Sequence, residues 1–158
     1  MEIMATCDVQ EVLWPGKTFA INRSVLSFDK LSGFYSKSYE AIYSAIRKLG
    51  IKRDGPPCAI NFAMDREKAE ADLAAAVPVP AAVHEIEGFQ KITIPKSKAL
   101  MLTYFGEYEQ MGTAYSALEH YLSTHQLQKA LFLEEYLPDP PMEKDLGKWK
   151  TNIYVILK

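Results

Sequence analysis

The chain has 158 residues, enough for one domain (1–158) with a buried core. Its composition, 48% hydrophobic and 24% charged with a formal net charge of −2, fits a soluble globular protein and lacks the clustered cationic surplus of a nucleic-acid footprint. The opening MEIMATCDVQ has no basic segment leading into an apolar run, so no signal peptide is expected, and no apolar stretch is long enough to span a bilayer. Cys7 and Cys58 form no CxxC pair and read as reduced, buried thiols. A cytoplasmic location is the expectation, with no direct contact to nucleic acid or membrane.

In chain order, CDVQEVLW alternates weakly and reads as a strand, and WPGKT as a turn. TFAINRSV (18–25) is a better strand, with Phe19, Ile21, Arg23 and Val25 on one face. Leu31, Tyr35, Tyr39, Ile42, Ile46 and Leu49 recur at helical spacing, and Gly50 closes the helix. The basic IRKLGIKR (46–53) fits a helix C-terminus, where cations complement the dipole. CAINFAMD (58–65) and DLAAAVPV (72–79) are predicted strands around a polar connection.

The order then repeats. FQKITIP and KALMLTYFG (98–106) are strands, the latter with Leu100, Leu102 and Tyr104 on one face. Met111, Ala114, Tyr115, Leu118, Tyr121 and Leu122 form a helical stripe. KALFLEEYL (129–137) and TNIYVILK (151–158) complete the pattern. YEAIYSAIRKLGI aligns with YSALEHYLSTHQL, pairing Tyr39 with Tyr115, Ile42 with Leu118 and Ile46 with Leu122. The expectation is an α+β fold of duplicated ββαββ halves, about 5–80 and 86–158, related by a pseudo-two-fold. Its mixed or antiparallel sheet would carry two main helices on one face, with a ligand pocket between the halves.

KALFLEEYLPDP (129–140) holds the most informative residues. Period-two alternation puts Phe132, Glu134 and Tyr136 on one face and Leu131, Leu133, Glu135 and Leu137 on the other. The leucine face is expected to pack on the helix, leaving Glu135 near solvent at the strand end. Anchored on Asp65 and Asp139, Glu134 lies opposite Ile60 and Tyr136 opposite Phe62. A carboxylate between rings is costly to bury unless paired. Two readings stay open: a site for flat or cationic organic molecules, or an exposed acid paired with a lysine such as Lys150.

The other chemistry-bearing residues say less. His84, His120 and His125 lack metal-ligand spacing, so no metal is expected. PGKT fails as a phosphate loop, since Glu11 stands where that motif needs Gly. No GxSxG occurs, and no cofactor is expected. Tyr39, Tyr115 and Tyr121 read as helix packing. The ring candidates for a pocket are Tyr104, Phe105, Tyr108, Phe132, Tyr136, Trp149 and Tyr154, with Trp149 as a lid or a cap on the core.

Four segments together resemble the GyrI-like small-molecule-binding domains, a family that includes effector-binding domains of AraC-type and MerR-type activators. YFGEYEQMGTAYSALEHYL is similar to the family's HxGxY segment and following helix, and LFLEEYLPDP to its xxEvYlxdP segment. DLAAAVPV and KTNIYVILK are similar to its two closing strands. The resemblance implies a duplicated fold whose pocket glutamate maps to Glu134 and whose GxY tyrosine maps to Tyr108. Phe105 replaces the family's usual His, and Asn152 stands where an acid is frequent.

The leading expectation is stand-alone binding of small organic molecules through Glu134 and its rings, with no helix-turn-helix, as a monomer or dimer. Two alternatives are implied by the resemblance. One is a hydrolase of strained, cyclopropane-containing compounds, with Glu134 as general base and Tyr108 or Tyr136 polarising the leaving group. The other is a protein-binding module of the gyrase-inhibitor kind.

Overall fold

A computed structural model describes residues 8–84, 86–106, 111–137 and 150–158. Among them run β1 (Gln10–Trp14), β2 (Lys17–Ser27), α1 (Leu31–Lys48), β3 (Cys58–Asp65) and β4 (Glu70–Val79). Then follow β5 (Gln90–Ile94), β6 (Ser97–Phe105), α2 (Gly112–Thr124), β7 (Lys129–Leu137) and β8 (Lys150–Leu157). The class is α+β, and all strand pairs described below are antiparallel.

The chain forms two compact units that divide at Trp14/Pro15 and at Lys96/Ser97. One holds β1, β6, α2, β7 and β8, with strands in the order β1-β6-β8-β7. The other holds β2, α1, β3, β4 and β5, with strands in the order β3-β4-β2-β5. The first strand of each sequence half thus pairs outside its half: β1 with β6, and β5 with β2. The WPG segment joins two strands that belong to different units rather than closing a hairpin. Gly16 has φ +88, and a Cβ there would lie 3.1 Å from the Lys96 amide nitrogen, so this bend excludes side chains.

Within the α1 unit, Ala20, Val77 and Val79 from the sheet pack with Ile42 and Ile46 from the helix. Asn22 on the same sheet face donates to the buried Ser38 hydroxyl of α1 at 2.9 Å. Within the α2 unit, Leu100, Leu102, Phe132, Ile153 and Val155 pack with Ala114, Leu118 and Leu122. The helices end alike. Gly50 (φ 69) and Gln126 (φ 55) adopt the left-handed conformation, and the next amide returns to the helix: Ile51 to the Ile46 carbonyl, and Leu127 to that of Leu122, both 2.9 Å. These are Schellman caps, and Ile51 and Leu127 each pack back on their own unit's core.

Candidate functional site

The helix covers the face of β7 opposite to the one the leucines suggested. Phe132 lies in the cluster with Leu118 and Leu122, and Tyr115 of α2 sets its ring edge-on to Phe132 at 5.0 Å between centroids. Glu134 and Tyr136 share that face by alternation. The leucine count misleads because Leu133 is also fully buried, on the other side of the sheet. Both faces of this strand are covered, so apolarity alone does not rank them.

Under α2, Glu134 is partly buried and accepts two hydroxyl hydrogen bonds. Tyr115 donates to its Oε2, and Tyr136 donates to its Oε1 at 2.7 Å. Burial pushes the Glu134 carboxyl above the usual carboxylate range, and the two hydroxyl donors oppose the rise without cancelling it. A carboxylate offers about four lone-pair positions, so two phenols leave acceptor capacity for a ligand.

The strand register completes the surroundings. Glu134 stands in a cross-strand row with Ile153 and Leu102. The adjoining row is Tyr136, Thr151 and Tyr104. Tyr104 is 7% exposed, Tyr136 9% and Thr151 0%. The Thr151 hydroxyl has no hydrogen-bond partner among the described residues.

The other acid is also buried, contrary to the expectation that it reaches solvent. Glu135 is 8% exposed and accepts from the Asn152 amide at 3.1 Å, while Asn152 accepts from Thr103 at 2.8 Å. Asn152 faces Glu135 directly across the sheet. An acid in its place would oppose like charges. Tyr154 lies on this face too, packed edge-on against Trp14 at 5.1 Å.

Of the ring candidates, Tyr104, Phe132 and Tyr136 therefore share the α2-facing side with Glu134. Phe105 alternates to the opposite face and is exposed, and Tyr154 is on that opposite face as well. Tyr108 and Trp149, with Asp139 and Pro140 of the strand-end motif, lie outside the described residues. Tyr115 does more than pack, since its hydroxyl donates to Glu134. Tyr39 and Tyr121 likewise donate, to the Cys58 carbonyl and to Glu11 Oε2, both at 2.5 Å. Apolar periodicity treats tyrosine as a hydrophobe and is blind to where its hydroxyl ends.

A separate open groove of about 300 Å³ is lined by Val9, Ala117, His120, Tyr121, Thr124 and His125. Neither Glu134 nor its tyrosine donors belong to that lining. Among the described residues, no helix is long and apolar enough to cross a membrane.

A partly buried acid held by phenols thus lies between α2 and the antiparallel sheet of its unit. A family model described as the GyrI-like small molecule binding domain matches residues 8–158, and the chain belongs to that family. No curated protein matches its sequence. Among solved structures, the chain is similar to EcmrR in a cryo-EM complex with DNA, with TM-score 0.82 and 15% identity, covering 96% of this chain and 57% of that one. The chain thus spans little more than half of that EcmrR chain, whereas it covers 97% of the isolated EcmrR C-terminal domain, with TM-score 0.80 and 17% identity. It is also similar to SAV2435 in a structure bound to tetraphenylphosphonium, with TM-score 0.69, 15% identity and coverage of 96% and 94%. A hydrolase from Listeria innocua gives TM-score 0.66, 12% identity and coverage of 97% and 93%. At these identities the likenesses establish the fold.

Proposed function

We propose that the protein binds hydrophobic cationic organic molecules at Glu134. The observation that carries this reading is a partly buried carboxylate held, among the described residues, by two neutral phenol donors, with its pKa raised by burial. Such an acid has a net charge to offer and a desolvation cost that a cation would offset. Phe132, Tyr115, Tyr104 and Tyr136 supply flat apolar area, and their ring faces add to the attraction for a cation. The tetraphenylphosphonium bound by SAV2435 is a molecule of this chemistry. Sequestration or sensing of such molecules in the cell interior, without direct DNA contact by this domain, fits the site.

The test is fluorescence or calorimetric titration with tetraphenylphosphonium and a rhodamine dye. Wild type is expected to bind both, and Glu134→Gln to bind at least about tenfold more weakly at pH 8, a loss near 1.4 kcal/mol. Equal affinities in the two proteins sink the reading. A cation binds the ionised acid, so affinity should rise with pH through the raised Glu134 pKa and stay flat in the Gln variant.

A second reading is hydrolysis, favoured by the same raised pKa. A carboxyl shifted toward neutrality suits a general base, with Tyr136 or Tyr115 as the polarising phenol. Mass spectrometry of cyclopropane-containing substrates incubated with the protein decides it. Product that requires Glu134 supports turnover, and unchanged substrate at stoichiometric protein rejects it.

A further inference from the structure

Resting on the Glu134 reading, we infer that the Thr151 hydroxyl is a second polar contact that makes the site select protonated amines over quaternary onium cations. Thr151 stands between Tyr136 and Tyr104 in one cross-strand row, and Glu134 occupies the neighbouring row of the same face. The residue is fully buried, and its Oγ1 has no hydrogen-bond partner among the described residues. Buried hydroxyls are nearly always satisfied in native proteins. A valine would fill the same shape without stranding a polar group, so the hydroxyl is an unspent donor and acceptor beside an acid.

The chemistry that uses both groups is an ammonium carrying at least two N–H bonds. One N–H goes to the Glu134 carboxylate and a second to Thr151 Oγ1, while the apolar remainder of the ligand lies among Tyr104, Phe132 and Tyr136. Stripping water from an ammonium is costly unless each N–H finds an acceptor, and the acceptor positions left on the Glu134 carboxylate together with Thr151 Oγ1 match the three N–H bonds of a primary ammonium. A trimethylated or tetraaryl onium has no N–H and leaves Thr151 unsatisfied. It binds through charge and area alone. A site built to meet a polar hydrogen discriminates strongly against an analogue that lacks it.

The experiment titrates naphthylmethylamine and its N,N,N-trimethyl derivative into wild type, Thr151→Val, Thr151→Ser and Glu134→Gln at pH 8. Wild type should prefer the primary amine by about tenfold. Thr151→Val should bring the two affinities to within about twofold by weakening the amine alone, and Thr151→Ser should keep the preference. Glu134→Gln should weaken both probes. If both probes bind through Glu134 but Thr151→Val leaves their ratio unchanged, this inference falls and the Glu134 reading stands. If neither probe binds, or both ignore Glu134→Gln, the two fall together. Thermal melting gives an independent check on the same variants. Thr151→Val should melt at or above wild type, because it removes an unpartnered hydroxyl, and a clear drop would mean that the hydroxyl is already engaged and would overturn the inference.

Discussion

In the unit built on α1, the helix tyrosine ends on a backbone carbonyl; in the unit built on α2, it ends on a carboxylate. Tyr39 donates to the Cys58 carbonyl, and Tyr115 donates to Glu134. The helices are otherwise closely matched. Ser38, Ile42 and Ile46 are the buried positions of one, and Ala114, Leu118 and Leu122 those of the other. The strand register identifies what stands in for the acid. Trp14 pairs with Ser97 as Ile94 pairs with Lys17, which sets Leu102 against Asn22 and Ile153 against Ala75. Ala75 pairs with Ala59 as Ile153 pairs with Glu134. The counterpart of Glu134 is therefore Ala59, not Ile60. Ile60 faces away from α1, and anchoring on the aspartates was off by one residue, which flips the face. With a small residue at that place, the phenol reaches the main chain; with an acid there, the phenol becomes its solvation shell. One unit uses its tyrosine to hold the scaffold, and the other uses it to hold a charge.

Transplanting the acid breaks this comparison most severely. Ala59 is 5% exposed. Ala59→Glu places a carboxylate under α1, where the tyrosine hydroxyl is already engaged, and should cost about 3–5 kcal/mol in urea unfolding at pH 8. A cost below about 1 kcal/mol would mean that the α1 unit can solvate an acid as well as the α2 unit does, and that nothing special surrounds Glu134.

Removing the two hydroxyls separates the roles. Tyr115→Phe takes a donor from a charged acceptor and should lose about 1.5–3 kcal/mol at pH 8, whereas Tyr39→Phe takes one from a neutral carbonyl and should lose about 1 kcal/mol. Denaturant midpoints of the two variants check the order. Equal losses would say that Glu134 is neutral in the folded protein at that pH, or that the hydroxyl contributes only packing.

The acid also leaves a pH signature opposite in sign to that of Asp72 in the α1 unit, whose pKa the hydrogen bond from Arg23 lowers. With its folded pKa raised, Glu134 retains its proton in the native state at pH values where the unfolded chain has released it. Native protein then binds more protons than unfolded protein, so stability falls as pH rises from the ordinary carboxylate pKa to the raised one. The slope is at most about 1.4 kcal/mol per pH unit for one group. Melting curves from pH 4 to pH 8, wild type minus Glu134→Gln, should show that decline. A flat difference would place the Glu134 pKa at its unfolded value.

Much of this was legible in the chain. CAINFAMD and KALFLEEYL match β3 and β7 residue for residue, because polar or proline-bearing segments bound both apolar runs. The helix stripes were legible from apolar residues recurring three and four apart. What escaped was everything set by long-range pairing. That β1 joins β6 and β5 joins β2 has no local signal, since each strand reads the same whichever neighbour it finds. The choice of α2-facing side on β7 escaped because both faces carry large apolar residues. Thr151 escaped because a threonine in a strand is ordinary until its hydroxyl is traced and found without a partner among the described residues.

The smallest expected effect lies at the helix ends, where the two units share a cap but not a residue. Gly50 adopts φ 69 without a Cβ, whereas Gln126 adopts φ 55 with one. A non-glycine residue in the left-handed region pays about 1 kcal/mol in steric cost. Gln126→Gly removes that cost but makes the unfolded chain more flexible, so the net gain should be about 0.5 kcal/mol. Gly50→Gln should lose about 1 kcal/mol by the converse argument. Thermal melts of both variants test whether the caps are equivalent. If Gln126→Gly destabilises, the glutamine side chain makes a contact that outweighs its strain, and the matched amide returns at Ile51 and Leu127 are then held by different means.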